Sequence, residues 1–135
     1  MQINPYLHFN GNCEQAFNFY VTAIGAKIDV MMHVEGSPAA AQMPPEMASK
    51  VLHAQLSIDG EVIMGSDAPP AHFEKIQGIT VALQIEDPAE GAKVFAALSE
   101  GGTVRMAYGA TFWSKGFGMC VDKFGVPWMV NSALD

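Results

Sequence analysis

Apolar residues along the chain fall first in alternation and then at helical spacing, and this succession of patterns occurs twice. Leu7 and Phe9 take one parity while Tyr6 and His8 take the other, which is the period of a half-buried strand. Cys13, Ala16, Phe17 and Tyr20 then recur at intervals of three and four. That spacing predicts an amphipathic helix, with Asn12 placed to cap it and a Gly turn behind it. Val81, Leu83 and Ile85, set against Thr80 and Gln84, are followed by Ala89, Ala92, Phe95 and Ala96 behind Asp87 and Pro88. The second copy therefore reads strand, capped helix and Gly turn again. Superposing Leu7 on Leu83 also places Ala16 on Ala92, Phe19 on Phe95 and Gly25 on Gly101.

A further match pairs Asp59, Gly60 and Met64 of "IDGEVIMGS" with Asp122, Gly125 and Met129 of "VDKFGVPWMVN". Both read as a hairpin turn feeding a short strand. The unequal spacing of the copies is absorbed by "EGSPAAAQMPPEMASK" (35–50), whose Pro, Ala and Ser content predicts an exposed, mobile loop. Each half is then β-α-β-β-β, an α+β fold of two tandem modules. One domain, 1–135, is expected, made of module 1 (1–66), a connection (67–78) and module 2 (79–135). Helices should cover one face of each sheet, leaving the other faces to curve round a shared cleft. In the third strand, Leu52, Ala54, Leu56 and Ile58 should face the helix and His53, Gln55 and Ser57 the cleft.

A chain of 135 residues can bury a core without staples. Its net charge of −7, with lysines and arginines scattered singly, disfavours nucleic acid and anionic membrane as partners. No apolar run approaches the roughly 20 residues of a membrane span. "MQINPYLHFNG" lacks the pattern of a secretory signal, so the expected location is the cytoplasm. Cys13 and Cys120 are too few and too isolated for a disulfide framework or zinc ribbon, and both read as buried thiols.

Most catalytic templates are absent. There is no GxSxG, P-loop, CxxC or HExxH, and no Gly-rich strand-to-helix loop of the kind that cradles a nucleotide or S-adenosylmethionine. Glu14, Glu86, Asp87 and Glu90 lie at helix starts, where they offset the helix dipole and do not form a paired acid site. Of four histidines, His8 and His53 share the cleft parity, with Gln55 and Gln84 close by, but none shows i, i+4 ligand spacing. His72 reads as solvated linker. "ATFWSKGFG" gathers Phe112, Trp113 and Phe117 around Lys115 in a loop, an arrangement suited either to a ligand or to a subunit interface. Gly116 and Gly118 suggest room in the cleft, and Trp128 has the parity of the core.

A tandem βαβββ pair carrying "NPYLHFNGNCEQAFNFY", "TFWSKGFGMCVDKFGVPW" and "ALSEGGTV" resembles the vicinal oxygen chelate superfamily, the glyoxalase and bleomycin-resistance fold. More narrowly it resembles the PhnB-like branch, which also bears the label 3-demethylubiquinone 3-methyltransferase. Metal-dependent members of that superfamily place His, Gln or Glu at four positions, and the resemblance puts those positions on Asn4, Met64, Thr80 and Met129, with Pro5 and Val81 the one-residue alternatives. Thioethers are poor ligands for hard or borderline cations, so no metal site and no cofactor are expected.

The reading these residues fit best is a metal-independent protein that binds a small, partly apolar molecule through His8, His53, Gln55, Met64, Gln84, Phe112, Trp113, Lys115 and Met129. Alternatives are a metal-dependent isomerase, lyase or dioxygenase using displaced ligands such as His8 or His53, and the methyltransferase of the branch label. Whether the protein is catalytic is left open by the sequence. The resemblance and the apolar composition together imply a homodimer.

Overall fold

The computed structural model describes residues 1–135, which divide into two compact units, Met1–Glu74 and Lys75–Asp135. The first unit contains β1 (Tyr6–Phe9), α1 (Cys13–Ile24), β2 (Lys27–His33), β3 (Val51–Ile58) and β4 (Glu61–Asp67). The second contains β5 (Val81–Gln84), α2 (Pro88–Ser99), β6 (Thr103–Gly109), β7 (Ser114–Val121) and β8 (Pro127–Ala133). Each forms a four-stranded sheet with equivalent strand order, β1-β4-β3-β2 and β5-β8-β7-β6. In both, the first strand runs parallel to the last, and the remaining pairs are antiparallel. This is the expected α+β pair of βαβββ modules. No helix is long and apolar enough to cross a membrane.

In the first unit, register sets Leu7, Gly65, Ala54 and Met31 side by side on one face. That face carries α1, whose Cys13, Ala16, Phe17, Tyr20, Ala23 and Ile24 are buried. Gly65 permits the close approach, since a Cβ there would lie 2.9 Å from the Leu7 carbonyl oxygen and 3.0 Å from the Phe17 ring. The β3–β4 hairpin turns on Asp59 and Gly60, both at positive φ, as a two-residue loop of the right twist requires. The alternation expected of β3 holds from Ala54 to Leu56 but is shifted at the strand's start. A bulge opposite Met32 and His33 leaves Leu52 half-buried and brings Val51 to the helix side at 1% exposure.

The Asp67 carboxylate fastens this unit. One oxygen accepts from the backbone N–H of Gly11 (3.0 Å) and Cys13 (2.9 Å), and the other accepts from Val51 N–H (2.9 Å). Lys50 Nζ adds a bond to the Gly11 carbonyl at 3.1 Å. The end of β4, the β1–α1 turn and the start of β3 are thereby joined, and α1 starts without a side-chain bond from Asn12. The expectation of an Asn12 cap is corrected by a carboxylate distant in sequence.

The second unit differs in detail. Asp87 caps α2 through Ala89 N–H at 3.0 Å, with Pro88 at the first position, as the sequence predicts. The buried stripe of α2, however, is Gly91, Phe95 and Leu98, while Ala89, Ala92 and Ala96 are exposed. Buried helix positions thus repeat one residue earlier than the strand match implies: Ala16 corresponds to Gly91, Tyr20 to Phe95 and Ala23 to Leu98. Trp128 is fully buried, as expected, and donates its Nε1–H to Asp122 at 2.8 Å. The other Asp122 oxygen accepts from Phe124 and Val126 N–H, which closes the β7–β8 turn.

Residues 35–50 are better tied than their composition suggests. They contain two short 3-10 turns, Pro38–Gln42 and Pro45–Met47. Met47 is buried, and Val34 and Glu35 donate to the Lys50 and Ala48 carbonyls. The intervening residues stay largely exposed.

Replacing Asp67→Ala would strand three backbone donors and is expected to lower the unfolding free energy by about 3 kcal/mol. Urea denaturation would report this as a lower midpoint at unchanged slope. A loss below about 0.5 kcal/mol would mean that water satisfies the same donors.

Candidate functional site

Each sheet keeps one face free of its own helix, and the predicted His8, His53, Gln55, Met64, Gln84 and Met129 fall on those faces, while Phe112 and Trp113 lie in the β6–β7 connection. In the first unit, register pairs Tyr6 with Met64 and Met64 with Gln55, and pairs His8 with Ser66 and His53 with Met32. His8, His53, Gln55 and Met64 are therefore brought to one surface, together with Tyr6. The Tyr6 hydroxyl lies 3.1 Å from His53 Nδ1, and its ring sits 5.1 Å from that of His8 and 5.7 Å from that of His53. Gln55 Nε2 reaches Asp29 at 3.5 Å.

In the second unit, Ala82, Met129, Met119 and Met106 form one cross-strand row, and Gln84, Asn131 and Phe117 form the next. Gln84 Oε1 accepts from Asn131 Nδ2 at 2.9 Å, while Asn131 Oδ1 is buried without a partner. At the end of β7, Phe112, Trp113 and Phe117 stack edge to face, with centroids 4.8 and 5.6 Å apart. Phe112 is 90% exposed and Trp113 is 44% exposed. Lys115, at a register shift, is held by Asp135 at 3.0 Å.

Gly116 and Gly118 do not make room on this face. A Cβ on Gly118 would lie 2.7 Å from the Phe95 ring, and one on Gly116 would run into Tyr108, so both glycines admit side chains on the α2 side. Strand parity alone implies this, because both share it with the buried Cys120.

The four positions that the resemblance assigns to metal ligands carry unsuitable groups. Met64 and Met129 offer thioethers, Asn4 Nδ2 is turned to the Val62 carbonyl at 3.4 Å, and Thr80 offers a hydroxyl. Pro5 and Val81 have the opposite parity to Tyr6 and Ala82, the residues paired with the two methionines. No three His, Cys, Asp or Glu side chains converge in a way that could hold a metal ion. The residues present do not fit the ion.

Neither thiol is poised as a nucleophile. Burial, and then the charges of Asp67 and Glu14, push Cys13 far above its ordinary 9.0. Burial chiefly raises Cys120 as well, with the charge of Asp122 acting in the same sense. Of the remaining histidines, His33 is paired with Glu14 at 2.6 Å and His72 is exposed on a 3-10 turn. Tyr6 and Asn131 are the notable site residues that the sequence reading left out. Alternation marks Tyr6 as sharing the parity of His8, but only the pairing of β4 with both β1 and β3 brings it to His53.

Residues 1–131 match the family model described as 3-demethylubiquinone-9 3-methyltransferase. The chain is 37% identical to protein YjdN of Escherichia coli K12, over 97% of this chain and 95% of that one. It superposes on protein PA1353 from Pseudomonas aeruginosa with a TM-score of 0.91 at 42% identity, covering 100% and 99% of the two chains. A putative 3-demethylubiquinone-9 3-methyltransferase, PhnB protein, from Bacillus cereus gives 0.82 at 27% identity, covering 98% and 100%.

The thiols carry a pH consequence. The folded protein keeps protons on Cys13 and Cys120 that the unfolded chain releases near 9.0, so this contribution to stability is complete below that pH and declines above it. Denaturation at pH about 8 and about 10 should show wild type losing more stability than the Cys13→Ala/Cys120→Ala variant. Equal losses would show that the thiols ionise in place.

Proposed function

The chain belongs to the 3-demethylubiquinone-9 3-methyltransferase family, a PhnB-like branch of the vicinal oxygen chelate superfamily, and from that premise we propose that it binds a small, partly apolar molecule without a divalent metal. The observation that carries this reading is the matched placement of Met64 and Met129. Each sits in the strand parallel to its module's first strand, on the helix-free face, where a metal-dependent relative would carry a ligand. An unbranched thioether is polarizable and adapts to irregular apolar shapes. On the first unit's helix-free face, Gln55, His8 and His53 accompany Met64 and supply a few polar groups that would fix a ligand's orientation; on the second unit's face Gln84 accompanies Met129, with Trp113 and Phe112 as aromatic groups.

A metal-dependent isomerase, lyase or dioxygenase built on His8 or His53 draws less support, because His53 Nδ1 is engaged by Tyr6 and no third ligand converges with the pair. Methyl transfer draws less still: the β1–α1 turn carries a single glycine, Gly11, and the β5–α2 turn carries none. The buried, unpaired thiols suit a reducing compartment, and we place the protein in the cytoplasm.

Elemental analysis of protein purified without chelators should find no stoichiometric Zn, Mn, Ni or Fe, and one equivalent of any of these would overturn the reading. Native mass spectrometry of the same material would weigh a retained ligand directly. The Met64→Glu/Met129→Glu variant is expected to lose stability without gaining nanomolar metal affinity, since Asn4 and Thr80 would remain as they are.

The same reading includes a homodimer. β6 is a sheet edge with Val104 and Met106 exposed, and Phe112 and Trp113 stand out of the β6–β7 connection. Light scattering at micromolar concentration should give about 29 kDa, twice the 14.5 kDa chain. A mass of one chain would leave Trp113 as a ligand contact only, and Trp113→Ala would then weaken binding.

A further inference from the structure

On the helix-free face of the first unit, three rings from two strands meet across a third. Tyr6 on β1 and His53 on β3 flank β4, yet the phenol hydroxyl reaches His53 Nδ1 at 3.1 Å. It does so above a stretch of β4 that presents the unbranched Met64 and the small Ser66. The Tyr6 and His53 rings lie 26° from parallel, and the His8 ring flanks Tyr6 at 38°.

We propose that Tyr6, His8 and His53 anchor a planar carboxylic acid, with its flat part on the rings and its carboxylate on the imidazole N–H groups. This rests on the face being a ligand site and names the chemical class it takes. With the phenol O–H assigned as the donor to His53 Nδ1, the proton of neutral His53 falls on Nε2, and that N–H is free to donate. His8, exposed beside Tyr6, brings a second ring N–H in either tautomer. The cluster therefore offers donors in excess, which suits an acceptor-rich group, and charge-assisted bonds to a carboxylate are the stronger kind. Asp29 does not compete for these donors through its one bond to the face, which goes to Gln55. A stacked Tyr6–His53 pair, with the tilted His8 ring and Met64 beside Tyr6, favours a flat ligand over a puckered one.

The test uses the whole chain and three probes of similar size: benzoate, benzamide and cyclohexanecarboxylate. Calorimetry and the imidazole Cε1–H signals should show benzoate binding with a dissociation constant on the order of 1 mM, about tenfold tighter than either other probe. Tyr6→Phe, which keeps the ring and removes only the hydroxyl, and His53→Gln should each weaken benzoate by about tenfold. Benzamide binding as well as benzoate would overturn the requirement for an acid, and cyclohexanecarboxylate doing so would overturn the requirement for a plane. Unchanged affinity in Tyr6→Phe would overturn the role of the hydrogen-bonded pair. If benzoate leaves the histidine signals unmoved while toluene shifts the Met64 methyl signal, this inference falls and the ligand site stands. If neither probe shifts anything, both fall.

Discussion

One buried carboxylate in each unit decides where the strands end and how the chain turns. Asp67 accepts three backbone N–H bonds from two segments, the β1–α1 turn and the start of β3, so the first unit's helix start and third strand share one acceptor group on β4. Such bonds are directional and charge-assisted, and losing the acceptor would leave several donors buried at once. Asp122 does the corresponding work within a hairpin, tying Phe124, Val126 and the Trp128 indole. The first arrangement joins residues distant in sequence, whereas the second is local. Both hold the turns adjoining the strands that carry Met64 and Met129.

With those strands fixed, the helix side of each sheet fills by close approach at glycine and the far side is left to chemistry. Gly65 admits Phe17, and Gly118 admits Phe95. The opposite faces then hold what does not belong in a core: a Tyr–His pair in one unit, and a hydrogen-bonded Gln84–Asn131 pair beside an aromatic ladder in the other.

Much of this was legible in the residues. Alternation placed Leu7, Phe9, Leu56 and Trp128 against the helices, and the doubled order of elements gave the fold class. Two kinds of information were not local. The bulge at Leu52 moves burial to Val51 through pairing with β2, which no single-strand pattern encodes. The one-residue offset between helix and strand repeats arises because Leu83 and Gly91 stand eight residues apart where Leu7 and Ala16 stand nine, so Phe95 answers to Tyr20 in burial although it matches Phe19 in the sequence repeat. Gly116 and Gly118 were misread because room was inferred without following their parity back to Cys120. The Tyr6–His53 bond depends on strand order, since β1 and β3 are neighbours in neither sequence nor sheet.

The tie between Glu35 and Ala48, with Met47 seated below it, separates the excursion after β2 from the sheet that launches it. The ends of that excursion are pinned by backbone bonds and one buried thioether, while the Pro- and Ala-rich span between them packs against little. Loop-closure entropy grows only slowly with length once the ends are fixed. The segment is thus a natural port for an inserted peptide tag or reporter, one that the β2–β3 pairing would not register.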